Sequence, residues 1–393
     1  MKATAGNKGD NIRSDCWVSI ELKGSGGLDI RLNSKVASMF GDDILRFAKD
    51  VLKFFEIENA VVEIEDKGAL NWVIAARLEA AIRQLKEVSE GYLLTKVNPH
   101  GLQPKDAVRF SRLYIPGNSP KLMLNAGIYG SYGIILDLED AVAPDKKPEA
   151  KILVRNALRS VDFYGTERMV RINQLPSGLD DLEMIVGHGV QLILIPKCET
   201  AYDVKAVDEK IKELSGGDPV WLMPIIESAL GVVNAYEIAS ASENVVAVAI
   251  GLEDYTASIG AQRTNEGTES FYARSAVVNA ARAAGVQPID SVFSEIEDKD
   301  ALRKNVLNSK ALGFEGMGCI HPAQVKIVNE AFSPTGQEIE KAQKIVAAFE
   351  EAKAKGLGVV ALGTKMIDAP VVNRALKIIE ITKRIQRLGD AEV

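Results

Sequence analysis

The chain has 393 residues, a length that exceeds one ordinary hydrophobic core and predicts two domains. It is 47% hydrophobic and 26% charged, which is typical of a folded soluble protein. The net charge of −7 leaves no overall basic surface for nucleic acid or an anionic membrane. The sequence shows no apolar run of bilayer length and no secretory signal, and its three scattered cysteines are typical of a reduced, cytoplasmic protein.

A small α+β domain with the element order ββαβα is predicted over residues 1–90. Its predicted elements are strands over 16–22 and 28–32, a helix over about 34–55, a strand over 60–65 and a helix over about 69–90. The glycine-rich stretch between the first two strands predicts a hairpin. Residues 91–108 contain prolines and a glycine, show no periodicity, and are predicted to be a linker.

From residue 109 to 332, short apolar runs alternate with helical stretches. The runs are 113–116, 133–140, 168–173, 191–197, 221–227, 245–251, 286–290 and 314–322. Near-continuous apolar strands that alternate with helices indicate a parallel sheet, and eight of them predict an α/β fold of the TIM type, a (β/α)8 barrel. A doubly wound open sheet is the alternative, but no G-x-G-x-x-G follows the first strand.

A C-terminal helical extension is predicted over residues 333–393. Two helices, at about 336–355 and 370–387, flank the non-helical segment GVVALGTKMIDAP. The extension is too long to be a frayed end. We expect it to pack against the barrel or against a neighbouring subunit.

Polar residues follow the predicted barrel strands at the end where such barrels place their active sites. They are Asp137, Glu139 and Asp140 after the second strand, Arg171 and Asn173 after the third, Lys197 after the fourth, Glu227 after the fifth, Glu253 and Asp254 after the sixth, and His321 after the eighth. Any one of them could be a helix cap or a solvated loop residue. Their convergence from several strand ends predicts a site.

Glu227 and Asp254 are the candidate metal ligands, because each ends a strongly apolar run. A carboxylate at the rim of a barrel core is costly unless it is paired or metal-bound. Magnesium is commonly held by one or two carboxylates, with waters and substrate oxygens completing the shell. The alternative is that both carboxylates form salt bridges with Arg171 or Lys197.

Residues 109–387 resemble the beta subunit of citrate lyase and its relatives in the HpcH/HpaI aldolase superfamily. The resemblance is carried, in order along the chain, by RFSRLYIPGNSPK, DLEDAVAPDKK, VRIN, IPKCE, PIIESALGVVNAYEIA, GLEDYTASIGAQRTNEG, YARSAVVNAARAAG, GFEGMGCIHPAQV and TKMIDAPVV. It implies a lyase that cleaves malyl-, citramalyl- or citryl-type thioesters with Mg²⁺.

The resemblance also implies roles for individual residues. Glu227 and Asp254 would bind the metal, and Arg171 would contact the substrate and the enolate oxygen. Asp368 would be a catalytic residue that reaches into the site of an adjacent subunit of a trimer or hexamer. The remaining residues expected to bind substrate are Arg112, Asp137, Glu139 and Asp140. His321 is given no catalytic role, and the cysteines are expected to be inert buried thiols.

Residues 1–90 resemble the gamma subunit of citrate lyase, an acyl carrier protein. The matching segments include SDCWVSIE, LDIRLNSKV, FGDDI, EDKGAL and ARLEAAIRQ. The resemblance implies a phosphoribosyl-dephospho-CoA arm on Ser14, which directly precedes Asp15. Ser25 is the second candidate. Alternatively, the module carries no arm and serves in docking or assembly.

Three functions remain open at the level of sequence. The first is cleavage of a citryl- or citramalyl-type thioester to an acetyl thioester and oxaloacetate or pyruvate, with an acyl-transferase (alpha-like) subunit as a further partner. The second is a malyl- or citramalyl-CoA-type lyase that acts on free CoA thioesters beside an inactive front module. The third is a non-catalytic assembly subunit. On the first reading, fusion to the barrel makes the arm intramolecular, and the linker sets its effective concentration.

Overall fold

The computed structural model describes residues 1–97, 101–354, 360–362 and 365–390. The first elements are β1 (Lys2–Gly6), β2 (Cys16–Leu22), β3 (Leu28–Ser34), α1 (Ala37–Phe54), β4 (Ala60–Asp66) and α2 (Asn71–Arg83). They form a four-stranded sheet of order β1-β2-β4-β3 that is covered by the two helices. The predicted small α+β domain is therefore confirmed, with the additional strand β1.

The predicted hairpin between β2 and β3 is wrong, because β4 lies between these strands. β4 pairs antiparallel with β2 and parallel with β3, through seven residues on each side. The five residues 23–27 instead cross over the end of β4, a gap of about 10 Å that a chain of this length readily spans. β1 then extends the sheet by pairing antiparallel with β2.

The predicted eight-stranded barrel is confirmed. Its strands are β5 (Ser111–Pro116), β6 (Gly133–Asp137), β7 (Glu167–Arg171), β8 (Leu192–Ile195), β9 (Trp221–Ile226), β10 (Ala247–Ile250), β11 (Gln287–Ile289) and β12 (Met317–Cys319). All neighbouring strands are parallel, β12 pairs with β5, and a parallel bridge between Asp290 and Met317 closes the ring.

The barrel strands alternate with helices, as a (β/α)8 fold requires. The helices are α3 (Pro120–Leu124), α4 (Lys147–Ser160), α5 (Gly178–Ile185), α6 (Ala201–Ser215), α7 (Ala229–Val233), α8 (Ala235–Ala239), α9 (Leu252–Ser258), α10 (Phe271–Ala284), α11 (Lys299–Leu312) and α12 (Pro322–Phe332). Short 3₁₀ turns occupy Ala126–Tyr129 and Pro144–Lys146. One apolar core fills the barrel interior, while a second lies outside it and continues into the N-terminal module.

The C-terminal extension consists of α13 (Gly336–Ala354), two short antiparallel strands β13 (Val360–Leu362) and β14 (Lys365–Ile367), and α14 (Ala369–Asp390). α13 and α14 pack on each other around their own apolar cluster. Lys377 and Arg384 of α14 form ion pairs with Glu315 and Asp106. Both acids lie at the amino end of the barrel, and a cavity of about 560 Å³ separates this end from α14. No helix in the described ranges has the length and apolar character needed to cross a membrane.

Candidate active site

Arg171 lies at the carboxyl end of β7, between two acidic side chains at the carboxyl end of β6, Asp137 and Glu139. Its Nε and Nη2 each donate a hydrogen bond of 2.7 Å to the two oxygens of Asp137. Its Nη1 lies 2.8 Å from Oε2 of Glu139. Burial acts to lower the pKa of Arg171, but the hydrogen bonds and charge of Asp137 outweigh it and raise the pKa above its ordinary value. Arg171 is therefore a fixed, permanent cation at the rim of the barrel.

Tyr114 is a neighbour of Arg171 that the sequence analysis did not select. The guanidinium carbon of Arg171 lies 5.3 Å from the centre of the Tyr114 ring, a cation–π contact. The ring has room because residue 318 is glycine, where an added Cβ would lie 3.0 Å from the Tyr114 ring. A period of two along β5 places Tyr114 on the same inward face as Arg112, which is the signal that could have identified it.

Lys197, which follows the fourth barrel strand, links the end of the second strand to the end of the fifth. Its φ of 49° is in the left-handed region, and this conformation turns its backbone N–H toward Glu227 Oε1 at 2.6 Å. Its side-chain Nζ lies 3.1 Å from Glu139 Oε1 and 3.8 Å from Asp140 Oδ1. Asp140 itself is largely exposed. One residue thus fixes Glu139 and Glu227 in relation to each other.

Glu227 and Asp254 follow the neighbouring strands β9 and β10. Glu227 is 5% exposed, and burial, assisted by the charges of Glu139 and Asp254, raises the pKa of Glu227 to about 7. Within the ranges that the structure describes, neither carboxylate forms a salt bridge with Arg171 or Lys197, so the salt-bridged alternative is not found. No group of three or more histidine, cysteine or acidic ligands occurs among the described residues. A buried, unneutralised carboxylate beside a second one fits a hard divalent cation whose remaining ligands are waters and substrate oxygens.

Arg112 does not join these residues at the rim. It lies near the start of β5, inside the barrel, and is 1% exposed. Its Nη1 contacts the sulfur of Met223 at 2.8 Å, and burial lowers the pKa of Arg112 to about 10. Tyr114 lies two residues further along the same strand, toward the rim. Arg112 therefore lies inside the barrel beneath Tyr114, on the side of the site away from the rim.

Asp368 is exposed at the start of α14, where its Oδ1 accepts a hydrogen bond of 3.3 Å from the N–H of Val371. No contact joins it to Arg171, Glu227 or Asp254 of the same chain in the described parts of the structure. The helix that it precedes packs at the amino end of the barrel, opposite the site. The role predicted for Asp368 in an adjacent subunit stays a prediction.

Ser14 and Ser25 lie at opposite ends of β2. Ser14 is half-buried, has a φ of 56°, and donates its backbone N–H to the carbonyl of Lys67 at 3.0 Å. Its hydroxyl makes no hydrogen bond to any residue described in the structure. Ser25 lies in the exposed loop that crosses β4.

His321 and the cysteines have structural environments. The ring of His321 caps α12 by accepting the N–H of Ala323 at 3.2 Å. Cys16, Cys198 and Cys319 are buried free thiols, and burial raises the pKa of each above its ordinary value. None is therefore a thiolate at neutral pH.

Gly251 gives Glu227 the space that it occupies. A Cβ at residue 251 would lie 2.3 Å from Glu227 Oε2, so Gly251→Ala forces the carboxylate to move. With Glu227 in its predicted role as a metal ligand, we expect this variant to lower kcat roughly 10- to 100-fold, because a shift of about 1 Å at the reacting centre has effects of that size. Steady-state kinetics with Gly41→Ala, which has ordinary contacts in α1, as the control will test this. Unchanged kcat for Gly251→Ala would contradict the assignment of Glu227.

The family model described as HpcH/HpaI aldolase/citrate lyase matches residues 111–322, which span the barrel. The chain belongs to this family. A second model, described as malonate decarboxylase delta subunit (MdcD) and belonging to an acyl carrier family, matches residues 2–85. The protein is therefore a fusion of an acyl-carrier-like module and an aldolase-family barrel.

Relatives of known activity show the class of reaction. The citrate lyase subunit beta of Leuconostoc mesenteroides subsp. cremoris is 40% identical over 294 residues, covering 73% of this chain and 97% of that protein. The mitochondrial citramalyl-CoA lyase of Homo sapiens is 33% identical and covers 73% of this chain and 88% of its own. This member of the HpcH/HpaI family is accordingly a lyase.

Solved structures agree with the fold. The structure of CitE from Mycobacterium tuberculosis in complex with magnesium, acetoacetate and coenzyme A has a TM-score of 0.60 and 29% identity. The match covers 71% of this chain and 100% of that one. About three tenths of this chain therefore has no counterpart in that structure.

Proposed function

We propose that this family member is a Mg²⁺-dependent lyase that cleaves a 3-hydroxyacyl thioester of citryl or citramalyl type. The products are an acetyl thioester and a 2-oxoacid, oxaloacetate or pyruvate. The observation that carries the proposal is the pair Glu227 and Asp254 at neighbouring strand ends, near the fixed cation Arg171. Neither carboxylate forms a salt bridge with any residue that the structure describes. Magnesium in the related CitE complex supports the choice of metal.

The cleavage is a retro-Claisen step. The substrate hydroxyl loses its proton and becomes a carbonyl, the Cα–Cβ bond breaks, and its electron pair passes into the thioester enolate. A proton then adds to the carbon and gives the acetyl thioester. Bound Mg²⁺ supplies Lewis-acid polarisation of substrate oxygens. Arg171 stabilises the negative charge that develops on the thioester oxygen, while Asp137 and Glu139 hold its guanidinium in place.

We propose that Asp368, in the tail of a neighbouring subunit, exchanges a proton with the substrate. This assignment is supported by its exposure and by the packing of its helix at the amino end of its own barrel, opposite the site. It requires a homo-oligomer, such as a trimer or hexamer, in which each site combines Glu227 and Arg171 of one chain with Asp368 of the next. A carboxylate in that position can serve as general acid and base.

Ser14 is proposed to carry the CoA-like arm, and an alpha-like transferase subunit would load its acyl group. Its hydroxyl accepts and donates no hydrogen bond among the described residues, and its loop lies next to the barrel. Both features support Ser14 over Ser25, which lies in a turn at the far end of β2. Free CoA thioesters are the second candidate substrates. The relatives named citramalyl-CoA lyase and CitE with coenzyme A favour them.

Two measurements test the proposed function. Purified protein is assayed for release of oxaloacetate or pyruvate from citryl-, citramalyl- and malyl-CoA, with Mg²⁺ and with EDTA. Intact-mass spectrometry of protein from the native host shows whether the front module carries an arm. We expect cleavage with Mg²⁺ and its loss with EDTA. Equal rates with EDTA would contradict the metal assignment, and an unmodified mass would favour free CoA thioesters.

A further inference from the structure

The N-terminal module is joined to the barrel by buried charges. Arg77 of α2 is fully buried and pairs with Asp15 at 2.9 Å and with Glu149 of α4 at 3.0 Å. Glu79 pairs with Arg155 of α4 at 2.6 Å, and both side chains are buried. Buried ion pairs of this kind are costly to break, because separation leaves each partner without its counter-charge. The module is therefore held in a fixed position against the barrel.

The same ion pairs fix the loop that contains Ser14. The loop leaves β1 at Gly6, whose N–H donates to Glu149 Oε2 at 2.6 Å and whose carbonyl accepts from Lys146 at 3.3 Å. It returns to β2 through Asp15, which binds Arg77 through both carboxylate oxygens. Both ends of the loop are thus attached to the start of α4.

The start of α4 leads directly to the candidate active site. Lys147, its first residue, contacts Asn173 Oδ1, two residues after Arg171. The segment before it begins at Asp137 and Glu139, which hold Arg171. A guanidinium nitrogen of Arg77 also lies 3.5 Å from the carbonyl of Asn118, in the loop after β5. The Ser14 loop therefore lies at the carboxyl end of its own barrel.

The described part of the linker is also attached, rather than free. Arg159 donates to the carbonyl of Leu94 at 2.7 Å, and Trp221 donates to the carbonyl of Gln103 at 2.6 Å. Leu102 packs against the apolar core inside the barrel. Linker length consequently does not set the reach of Ser14. With the described residues of the module and linker held in this way, the reach of Ser14 depends on the arm.

We propose that the arm on Ser14 of each chain serves the barrel of the same chain, while Asp368 comes from a neighbour. The inference rests on the proposed function, because it requires an arm on Ser14. It goes beyond that function by stating which barrel of the oligomer each carrier module serves. The docked module then holds the attachment point of the arm in a fixed position beside the active site of its own chain.

Mixed oligomers test the inference. Chains with Ser14→Ala and chains with Glu227→Gln are co-expressed with different tags in the native host, and doubly tagged oligomers are purified. Each Ser14→Ala barrel is intact but lacks its own arm, and each Glu227→Gln chain carries an arm beside an inactive barrel. We expect no cleavage of arm-bound acyl groups above that of the two parent variants. Restored cleavage would show that the arm serves a neighbouring barrel and would overturn the inference.

A second mixture is the control that separates a failure of the inference from a failure of the proposed function. Asp368→Ala chains mixed with Glu227→Gln chains are expected to recover about a quarter of wild-type activity, because random assembly of a cyclic oligomer unites intact Glu227 and Asp368 at that share of sites. This recovery proves that mixed oligomers form active sites. Intact mass on the Glu227→Gln chains confirms the arm. An arm-free chain would refute both the carrier function and the inference, whereas an active Ser14→Ala mixture refutes the inference alone.

Discussion

Glu227→Gln is expected to lower the Mg²⁺-dependent cleavage rate by roughly a thousandfold or more, the scale for losing a principal electrostatic group of an active site. The same change is expected to stabilise the metal-free protein. Glutamate in the unfolded chain ionises near its ordinary pKa of 4.5, whereas burial raises the pKa of Glu227 to about 7 in the folded state. Folding of the metal-free protein therefore loses stability as the pH rises between these values, and glutamine removes that loss.

The expected gain is about 3 kcal/mol at pH 8, because each pKa unit corresponds to about 1.4 kcal/mol. Urea unfolding in EDTA measures it at pH 8 and again at pH 4, where the gain should disappear. Glu237→Gln, an exposed glutamate of α8, serves as the matched control and should change neither rate nor stability. A Glu227→Gln protein that is inactive and also less stable at pH 8 would indicate a structural role for Glu227 instead.

The barrel was predictable because its strands are buried on both faces. Apolar runs such as LILI of β8 and AVAI of β10 lack the alternation of apolar and polar residues that marks a sheet with one face in solvent. The order of strands in the front sheet was not predictable in the same way. β2 and β3 are close in sequence and joined by glycines, so local turn chemistry favours a hairpin. The longer-range pairing of β4 with both strands overrides that preference.

The site was predictable where a residue's chemistry depends on its place at a strand end. Glu227, Asp254, Arg171 and Asp137 all follow from that rule. Arg112 was expected to bind substrate on the family resemblance, and it lies inside the barrel because it is near the start of β5 and not at its carboxyl end. The period of two along β5 places Tyr114 on the inward face, but its contact with Arg171 joins two strands and was missed. Gly251 was missed because its role depends on a contact with Glu227 of another strand, which no single segment encodes.

Arg77→Met is expected to destabilise the folded chain by about 3–5 kcal/mol, because it leaves Asp15 and Glu149 buried without their shared counter-charge. The apolar core outside the barrel continues from the front module to α4 and beyond, so the loss should lower the stability of both parts together. Urea unfolding is monitored by the fluorescence of Trp17 and Trp72 in the module and of Trp221 in the barrel. We expect a single transition for both the wild type and the variant.

Arg46→Met is the matched control for this change. Arg46 also pairs with an acid, Asp43, but its side chain is 72% exposed, and surface pairs of this kind contribute less than about 1 kcal/mol. The triple variant in which Arg77→Met is combined with Asp15→Asn and Glu149→Gln should recover much of the lost stability, since it removes the unpaired charges. A small effect of Arg77→Met, or separate unfolding of module and barrel, would mean that the two are docked loosely. The Ser14 loop would then be free to leave its own barrel, and arms could pass between chains.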